Sequence, residues 1–467
     1  MKPTCRRPHE QRMGRRRLVF GVCALVMALA PAALAERLAD HVVLISIDGL
    51  RPEFYLDPTW PAPNIQHFAR EGSHAQRARG VFPTVTYPSH TTMVTGALPA
   101  RHGIHHNVPF DPKTQTGAWY WYANTIRTPT LWDAVRAAGG KTAAVSWPVT
   151  VGAPIDWVIP EVWALEGEDR LAPMREHTRP EGLWQEIERA ATGTLDRTTY
   201  SSAYTGRDLE SAAAAAYLLE KYRPRLLALH LIGADHFQHQ DGRDSLLVRR
   251  ALAVTDTAIG QMLEAAERAG ILDRTAFVVT GDHGFVVAHT RLRPNAWLAA
   301  AGLQQPRTAL GERGDWRATF HSDTGSAFLF LRDQDDAAAL EQVRRILDEQ
   351  PPQVRSLYRV LDRDELDAAG ADPDAALAIS AALGIILSSD ADKEPLGPAD
   401  GGHHGYFPSD FAEIYTGFLA WGAGVRRGGF AHEVGLVDVA PFVARLLDLD
   451  FEAPDGMAPL GLLQAPP

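Results

Sequence analysis

Cysteine is nearly missing from this chain. Cys5 and Cys23 are the only two in 467 residues, and both lie where they cannot serve a folded domain. They fall in an N-terminal segment where Arg15-Arg16-Arg17 precede an apolar run, Leu18 to Leu34, that closes in Ala33-Leu34-Ala35. A charged region, an apolar region and a small-residue site are the parts of a secretory signal peptide, so removal of residues 1–35 is expected. A membrane anchor wants about 20 uninterrupted apolar residues, whereas this run is shorter and holds Pro31. The arginine pairs admit twin-arginine export as a second route. The chain that remains has no cysteine, which excludes disulfides and thiolate zinc sites; no cysteine follows the cleavage site to carry a lipid. An exported chain of this kind suits a bacterial periplasm or secretion.

Basic residues are also scarce. Without the N-terminal segment, 39 Lys and Arg stand against 56 Asp and Glu, a formal charge of −17. Such a surface repels nucleic-acid polymers, which are bound through basic tracts. A small phosphorylated substrate held through metal ions is still compatible with it. Internal repeats and long low-complexity linkers are missing too. About 430 residues then suffice for one large α/β domain with an insertion, or for two domains.

What is there alternates. His41 to Ile47 is a continuous apolar run ending in Asp48-Gly49, the pattern of a strand buried on both faces. Helices are expected at Pro63 to Glu71 and Thr130 to Ala138, with a strand from Lys141 to Trp147. A helix at Asp208 to Tyr222, a strand at Leu226 to Ile232, a helix at Leu246 to Ala269 and a strand at Ala276 to Thr280 come next. This order predicts an open, mostly parallel sheet flanked by helices, with ligands bound beyond the carboxyl ends of its strands. Between residues 291 and 401 the order changes to strands at Ala327 to Leu331 and Gln353 to Val360 around a helix at Asp335 to Glu349. That stretch reads as a small α+β cap-like insertion. The catalytic domain is expected to comprise residues 36–290 and 402–467, with a strand at Gly417 to Trp421 and a helix at Val437 to Leu446.

Polar residues stand just past several strands. Asp48 comes after the first, Asp235 and His239 after the strand at 226–232, and Asp282-His283 after the one at 276–280. His403-His404 lies in a Gly-rich loop. Carboxylate and imidazole without thiolate suit zinc, or less often manganese or iron. Phe82-Pro83-Thr84-Val85-Thr86-Tyr87-Pro88 leads into a short helix ending at Gly96, with Pro88 in its first turn, where a missing N–H costs nothing. Thr84 is thus expected just before a helix N-terminus, a place that favours phosphate. There it reads as either a nucleophile or an ordinary helix cap.

These stretches resemble the alkaline phosphatase superfamily and, within it, the nucleotide pyrophosphatase/phosphodiesterase family. The resemblance rests on Ile45 to Pro52, Phe82 to Gly96 with Arg101 to Ile104, and Asn107 with Phe110-Asp111-Pro112. Trp147-Pro148, Asp235 with His239, Thr280 to Gly284, His404-Gly405-Tyr406 and Asp438 to Pro441 continue it over nearly the whole chain after residue 41. It implies an alkaline-phosphatase-like sheet and two zinc ions. One would be held by Asp235, His239 and His404, the other by Asp48, Asp282, His283 and the Thr84 hydroxyl. Asn107 would contact a phosphate oxygen. The implied reaction is hydrolysis of a small phosphodiester, nucleotide or other, through a phosphothreonine, with paired metals clamping attacking and leaving oxygens.

Two positions depart from the family pattern. The aromatic that comes after the nucleophile would be Val85, and the tyrosine five residues before the first metal aspartate would be His230. Both faces of a nucleobase slot are then lost, leaving Tyr87, Trp147 and Trp119 to Tyr122 to line some other pocket. The sulfatase branch lacks its modified-residue motif here, and the mutase branch uses serine. A phosphomonoesterase or phosphonate hydrolase on the same metals, or a non-catalytic metal-binding protein, are the competing readings.

Overall fold

The continuous apolar strands are covered on both sides, as their composition demands. In the computed structural model, which describes residues 37–113, 117–201, 204–305 and 314–465 besides Met1 and Pro3, the expected signal peptide lies outside the described residues. Among the described residues the central sheet takes strands β1 (His41–Ile47), β2 (Ser73–Ala75), β3 (Thr142–Val145), β4 (Trp157–Ile159), β5 (Leu226–Leu231), β6 (Thr275–Thr280), β7 (Phe418–Gly422) and β8 (Gly429–Ala431). Their spatial order is β8-β2-β7-β6-β1-β5-β3-β4. The run from β6 to β4 is parallel, and β7 is antiparallel to both β6 and β2.

Alternate residues of β1 feed two cores. Val43, Ile45 and Ile47 pack with Leu227, Leu229, Phe277 and the long helices Tyr204–Tyr222 and Leu246–Arg268. Val42 and Leu44 pack on the other face with Trp132, Phe442 and the helix Val439–Leu446. Burial of both faces is why no polar alternation shows in these strands. Ser245 and Thr130 cap two of the flanking helices through their side chains, and Thr130 forms a capping box with Asp133.

Residues 291–401 carry a four-stranded antiparallel sheet, Ala318–Ser322, Ser326–Leu331, Leu377–Ala381 and Tyr358–Leu361, with the helix Ala337–Asp348. The expected strand Gln353 to Val360 starts later than its composition suggested. Pro352 opens a helical turn, Pro352–Arg355, as proline does at a first helical position, and the strand begins at Tyr358. The Ala-rich stretch after Asp372 yields the strand Leu377–Ala381, because its Leu377 and Ile379 fill the core of this sheet. The opposite face of this sheet, through Phe328 and Phe330, reaches the main sheet's loops. Phe82 packs on Phe328 and Phe407, and Phe110 stacks on Phe330 with ring centroids 3.9 Å apart. Residues 37–467 form one compact unit, so the insertion is joined to the rest through this packing.

Candidate active site

Register brings the site together. Ile47 of β1 lies opposite Leu231 of β5, and Ser46 lies opposite Thr280 of β6. The three strands therefore end side by side, and the residues just past them meet. Asp48 comes directly after β1, its N–H donating to Leu231 O at 2.8 Å. Asp282 and His283 come after β6. After β5 the chain turns into the helix Gly233–Asp241, which places Asp235 and His239 one turn apart on one face. His404 arrives from the far end of the insertion, where Gly402–His403 pairs with Val286–Val287. Gly405 next to it has φ +92°, and a Cβ there would sit 1.8 Å from Asp323 O, so only glycine lets His404 reach this position against the insertion.

Two groups of side chains result: Asp48 with Asp282 and His283, and Asp235 with His239 and His404. Their hydrogen bonding leaves a consistent remainder. Asp282 Oδ1 accepts from Gly49 N and His283 N, each at 3.0 Å, while Oδ2 is buried without a partner. Asp48 Oδ2 meets His230 Nε2 at 3.1 Å, while Oδ1 is buried without a partner; Asp235 Oδ1 is too. The histidines show the same logic through their tautomers. A ring nitrogen facing a carbonyl must carry the proton. His404 Nδ1 donates to Thr84 O at 3.0 Å, His239 Nδ1 to Gly402 O at 2.8 Å and His283 Nδ1 to Gly284 O at 3.2 Å. Their Nε2 atoms are left as lone-pair donors, and those of His239 and His404 face each other at 3.1 Å.

Electrostatics agree. Burial, with Asp235 and Asp282 nearby, pushes the Asp48 carboxyl well above the usual carboxylate range. Burial and the neighbouring rings keep His404 well below the ordinary histidine value, and burial lowers His283. Neutral imidazoles and crowded carboxylates, each with an unused lone pair aimed inward, fit divalent cations of the N/O-preferring kind.

The cleft over these groups has a volume of about 440 Å³. Besides Asp48, Asp235, His239 and His404 it is lined by Val85, Thr86, Asn107, Trp119, Glu161, Tyr204 and the insertion segment His321 to Thr324, with Asp282 and His283 buried behind Asp48. No lysine or arginine is among its lining residues within the described part of the chain. A larger cavity of about 680 Å³ in the insertion, lined by Arg291, Trp316 and Lys393, contains none of the candidate ligands.

Thr84 is not in the cleft. It is fully buried, and its hydroxyl donates to Tyr406 O at 2.9 Å and accepts from Gly405 N at 3.0 Å. Thr86 lines the cleft instead, as the first residue of the helix Thr86–Thr95, whose cap is Val85. The helix starts two residues before Pro88, since any first-turn position lacks an N–H partner and accepts proline. This also moves the residue after the cleft-facing hydroxyl from Val85 to Tyr87. That tyrosine is buried and edges onto Trp119, with ring centroids 5.1 Å apart. Trp147 is core, packed against His90 and Trp132. Asn107 lines the cleft and accepts from Tyr87 N at 2.8 Å through Oδ1, which leaves its NH₂ as the donor end.

His230 is not on a wall of the cleft but beneath it. It bridges Asp48 and Glu161, with Nδ1 3.3 Å from Glu161 Oε2 and 3.1 Å from Ser146 O. Burial opposes its charge, but bonds to Asp48 and Glu161 hold the imidazolium well above its ordinary range. His403 turns away from the cleft, donating from Nε2 to Asp400 O at 2.9 Å. Glu161 and the insertion segment at 321–324 carry no sequence motif, and only the fold brings them here.

The chain matches the family model "Type I phosphodiesterase / nucleotide pyrophosphatase" over residues 42–407. It is 24% identical over 261 residues to rat ectonucleotide pyrophosphatase/phosphodiesterase family member 3, an alignment covering 52% of this chain and 24% of that protein. With human family member 7 it shares 24% identity over 280 residues, 57% of this chain and 54% of the relative. The chain thus spans between a quarter and about half of these relatives. Human ectonucleotide pyrophosphatase/phosphodiesterase 5 shares the fold with a TM-score of 0.65 at 18% identity, covering 91% of this chain and all of that one. The mouse counterpart, solved as an inactive threonine-to-alanine variant in complex with AMP, matches with a TM-score of 0.63 at 19% identity over 88% of this chain and 96% of that one. The fold is alkaline-phosphatase-like, and the chain belongs to the type I phosphodiesterase/nucleotide pyrophosphatase family.

Proposed function

We propose that the chain is a metal-dependent hydrolase of small phosphodiesters or pyrophosphates that works through a covalent phosphothreonine on Thr86. The observation that carries this reading is the cleft itself: two inward-facing sets of unused lone pairs beside a hydroxyl at a helix N-terminus. Asp235, His239 and His404 would hold one zinc ion, and Asp48, Asp282 and His283 the other. When bound, such a pair lowers the pKa of a coordinated hydroxyl or water and offsets the charge of a phosphoryl group in flight.

The chain's own residues supply the rest. Thr86 Oγ forms a bond to phosphorus as the bond to the leaving alkoxide or phosphate oxygen breaks, and the hydroxyl proton ends on that departing oxygen. Water then attacks the phosphothreonine, its oxygen staying on the phosphoryl product as the Thr86 Oγ–P bond breaks, and one of its protons restores the Thr86 hydroxyl. The Asn107 NH₂ group donates to a non-bridging oxygen, and the N-terminus of the Thr86–Thr95 helix favours the developing negative charge. Trp119 and Tyr204 offer apolar faces to an organic substituent, a nucleoside or another alcohol. The lack of lysine and arginine among the described residues of the cleft lining favours the single charge of a diester over the double charge of a monoester. Export through a cleaved signal peptide into the periplasm or medium belongs to the same proposal; a mature protein beginning at Glu36 by N-terminal sequencing would support it.

The test compares bis(4-nitrophenyl) phosphate with 4-nitrophenyl phosphate on zinc-loaded protein. Diester turnover well above monoester turnover is expected. A monoester preference would replace the proposal with a phosphomonoesterase, and no turnover of either by a zinc-replete chain would leave a metal-binding protein.

A further inference from the structure

Among the described residues a third group, His106, His321 and Asp323, has ligand-type atoms close enough to share a cation. Its hydrogen bonding differs from that of the other two. His106 Nδ1 is 2.6 Å from Asp323 Oδ2, a true hydrogen-bond length, and its Nε2 is 3.1 Å from Asp372 Oδ2. Both ring nitrogens are used, so the ring is an imidazolium between two carboxylates and has no lone pair for a metal. The side chains of His106, Asp323 and Asp372 are 1%, 6% and 4% exposed. His105 adds a further contact to Asp372 at 3.4 Å.

The two ends of this bridge come from different parts of the chain. His106 immediately precedes Asn107 on a loop of the main domain; Asp323 and Asp372 belong to the insertion. Phe110, three residues beyond Asn107, is stacked on Phe330 of the same insertion. Asn107 is therefore flanked on both sides by residues fixed to the insertion. Asp372 is also immobilised, through Arg363 Nη1 to its carbonyl at 2.9 Å and Asp374 N to its Oδ1 at 2.9 Å, and it does not line the cleft.

We propose that His106, gripped by Asp323 and Asp372, is a positioning residue through which the insertion holds the Asn107 amide in place for phosphoryl transfer. The inference rests on the reading of Asn107 as a donor to the phosphoryl group. Its physical basis is that a misplacement of about 1 Å can cost on the order of 10²-fold in rate. Breaking a buried ion bridge is costly, because removing either charge leaves the other unpaired, so the loop is held where the bridge can form.

A double-mutant cycle on the zinc-loaded full chain tests it, with bis(4-nitrophenyl) phosphate as substrate and bound zinc and melting temperature measured alongside. Asp372→Asn is expected to lower kcat about 10- to 100-fold with zinc content unchanged and KM little altered. In an Asn107→Ala background the same substitution is expected to have almost no further effect on kcat, since the group it positions is gone. His106→Gln replaces Asp372→Asn in the cycle if the latter does not fold. An equal loss in both backgrounds, or no loss in the single variant, overturns the positioning role while the donor role stands. A wild-type-like Asn107→Ala overturns both.

Discussion

Asp48, Asp282 and His283 just past β1 and β6, and His106, Asp323 and Asp372 where the insertion meets the Asn107 loop, are alike in residue type and burial. They differ in what their polar atoms face. In the first set each carboxylate uses one oxygen and leaves the other buried without a partner, and the histidine keeps its proton on the backbone side. In the second, both nitrogens of one ring meet carboxylates. An unpaired buried polar atom costs free energy, so the first arrangement is tolerable in a working protein only if something else completes it. The second is complete as it stands. Proximity of histidine and aspartate therefore says little about metal binding, whereas the hydrogen bonds left over say a great deal.

The most severe break in this contrast should come from the hydroxyl. Thr86→Ala is expected to cost on the order of 10⁴–10⁶ in diester turnover, the range seen when covalent nucleophiles are removed. Thr84→Ala should keep turnover within a few-fold but lose roughly 1–3 kcal/mol of stability, because Gly405 N and Tyr406 O lose their buried partner. Kinetics and denaturation of the two variants side by side would decide which threonine reacts; the reverse outcome would restore Thr84.

Chelation should abolish turnover and lower the melting temperature, and zinc analysis should return about two ions per chain before it, as two-metal chemistry requires. Added zinc at about 1,000 times its dissociation constant should restore roughly 4 kcal/mol of stability. A third equivalent of tightly bound zinc would contradict the reading of the His106 group as an ion bridge.

Asn107→Ala is expected to slow turnover about 10²–10³-fold, as loss of one oxyanion donor does elsewhere, with zinc content unchanged. A smaller effect should come from His230→Gln, which removes the imidazolium that orients Asp48. Loss of such an outer partner commonly lowers metal affinity about 10–100-fold, so chelator competition should show one of the two zinc ions released more readily. Equal affinity for both ions in that variant would mean His230 only fills space.

The gentlest probe is pH. Burial works against the charge on His106, yet Asp323 and Asp372 raise its pKa to about 10. A folded pKa above the unfolded value of about 6.5 means that its stabilisation is whole below about pH 6.5 and is lost as pH rises through about 10. The difference in melting temperature between wild type and His106→Gln should therefore be largest near pH 6 and shrink toward pH 10. His105, His321 and Tyr120 lie near the same carboxylates, so a matched Asp372→Asn series separates their share. A difference independent of pH would mean that His106 is uncharged.

Much of this was legible from residue order. The apolar runs ending in Asp48 and in Thr280 determined strands buried on both faces, because no exposed strand is so uniformly apolar. The ligand types after strand ends determined that metal-type residues gather there, because parallel strands in register deliver the residues just past their ends to one edge of the sheet, while their division into two sets, with His404 from a loop, was implied by the family resemblance. Which threonine faces the cleft was not settled that way. Thr84 and Thr86 are two residues apart around a helix start, and one residue of shift in that start turns a hydroxyl from the cleft into the protein. Only the tertiary structure decided it, by giving the Thr84 hydroxyl two backbone partners at Gly405 and Tyr406. Likewise Asp323 and Asp372 lie over 200 residues from His106 and carry no local signal; their meeting is a product of how the insertion packs. Sequence fixes chemistry where neighbours in the chain are neighbours in space, and long-range packing decides the rest.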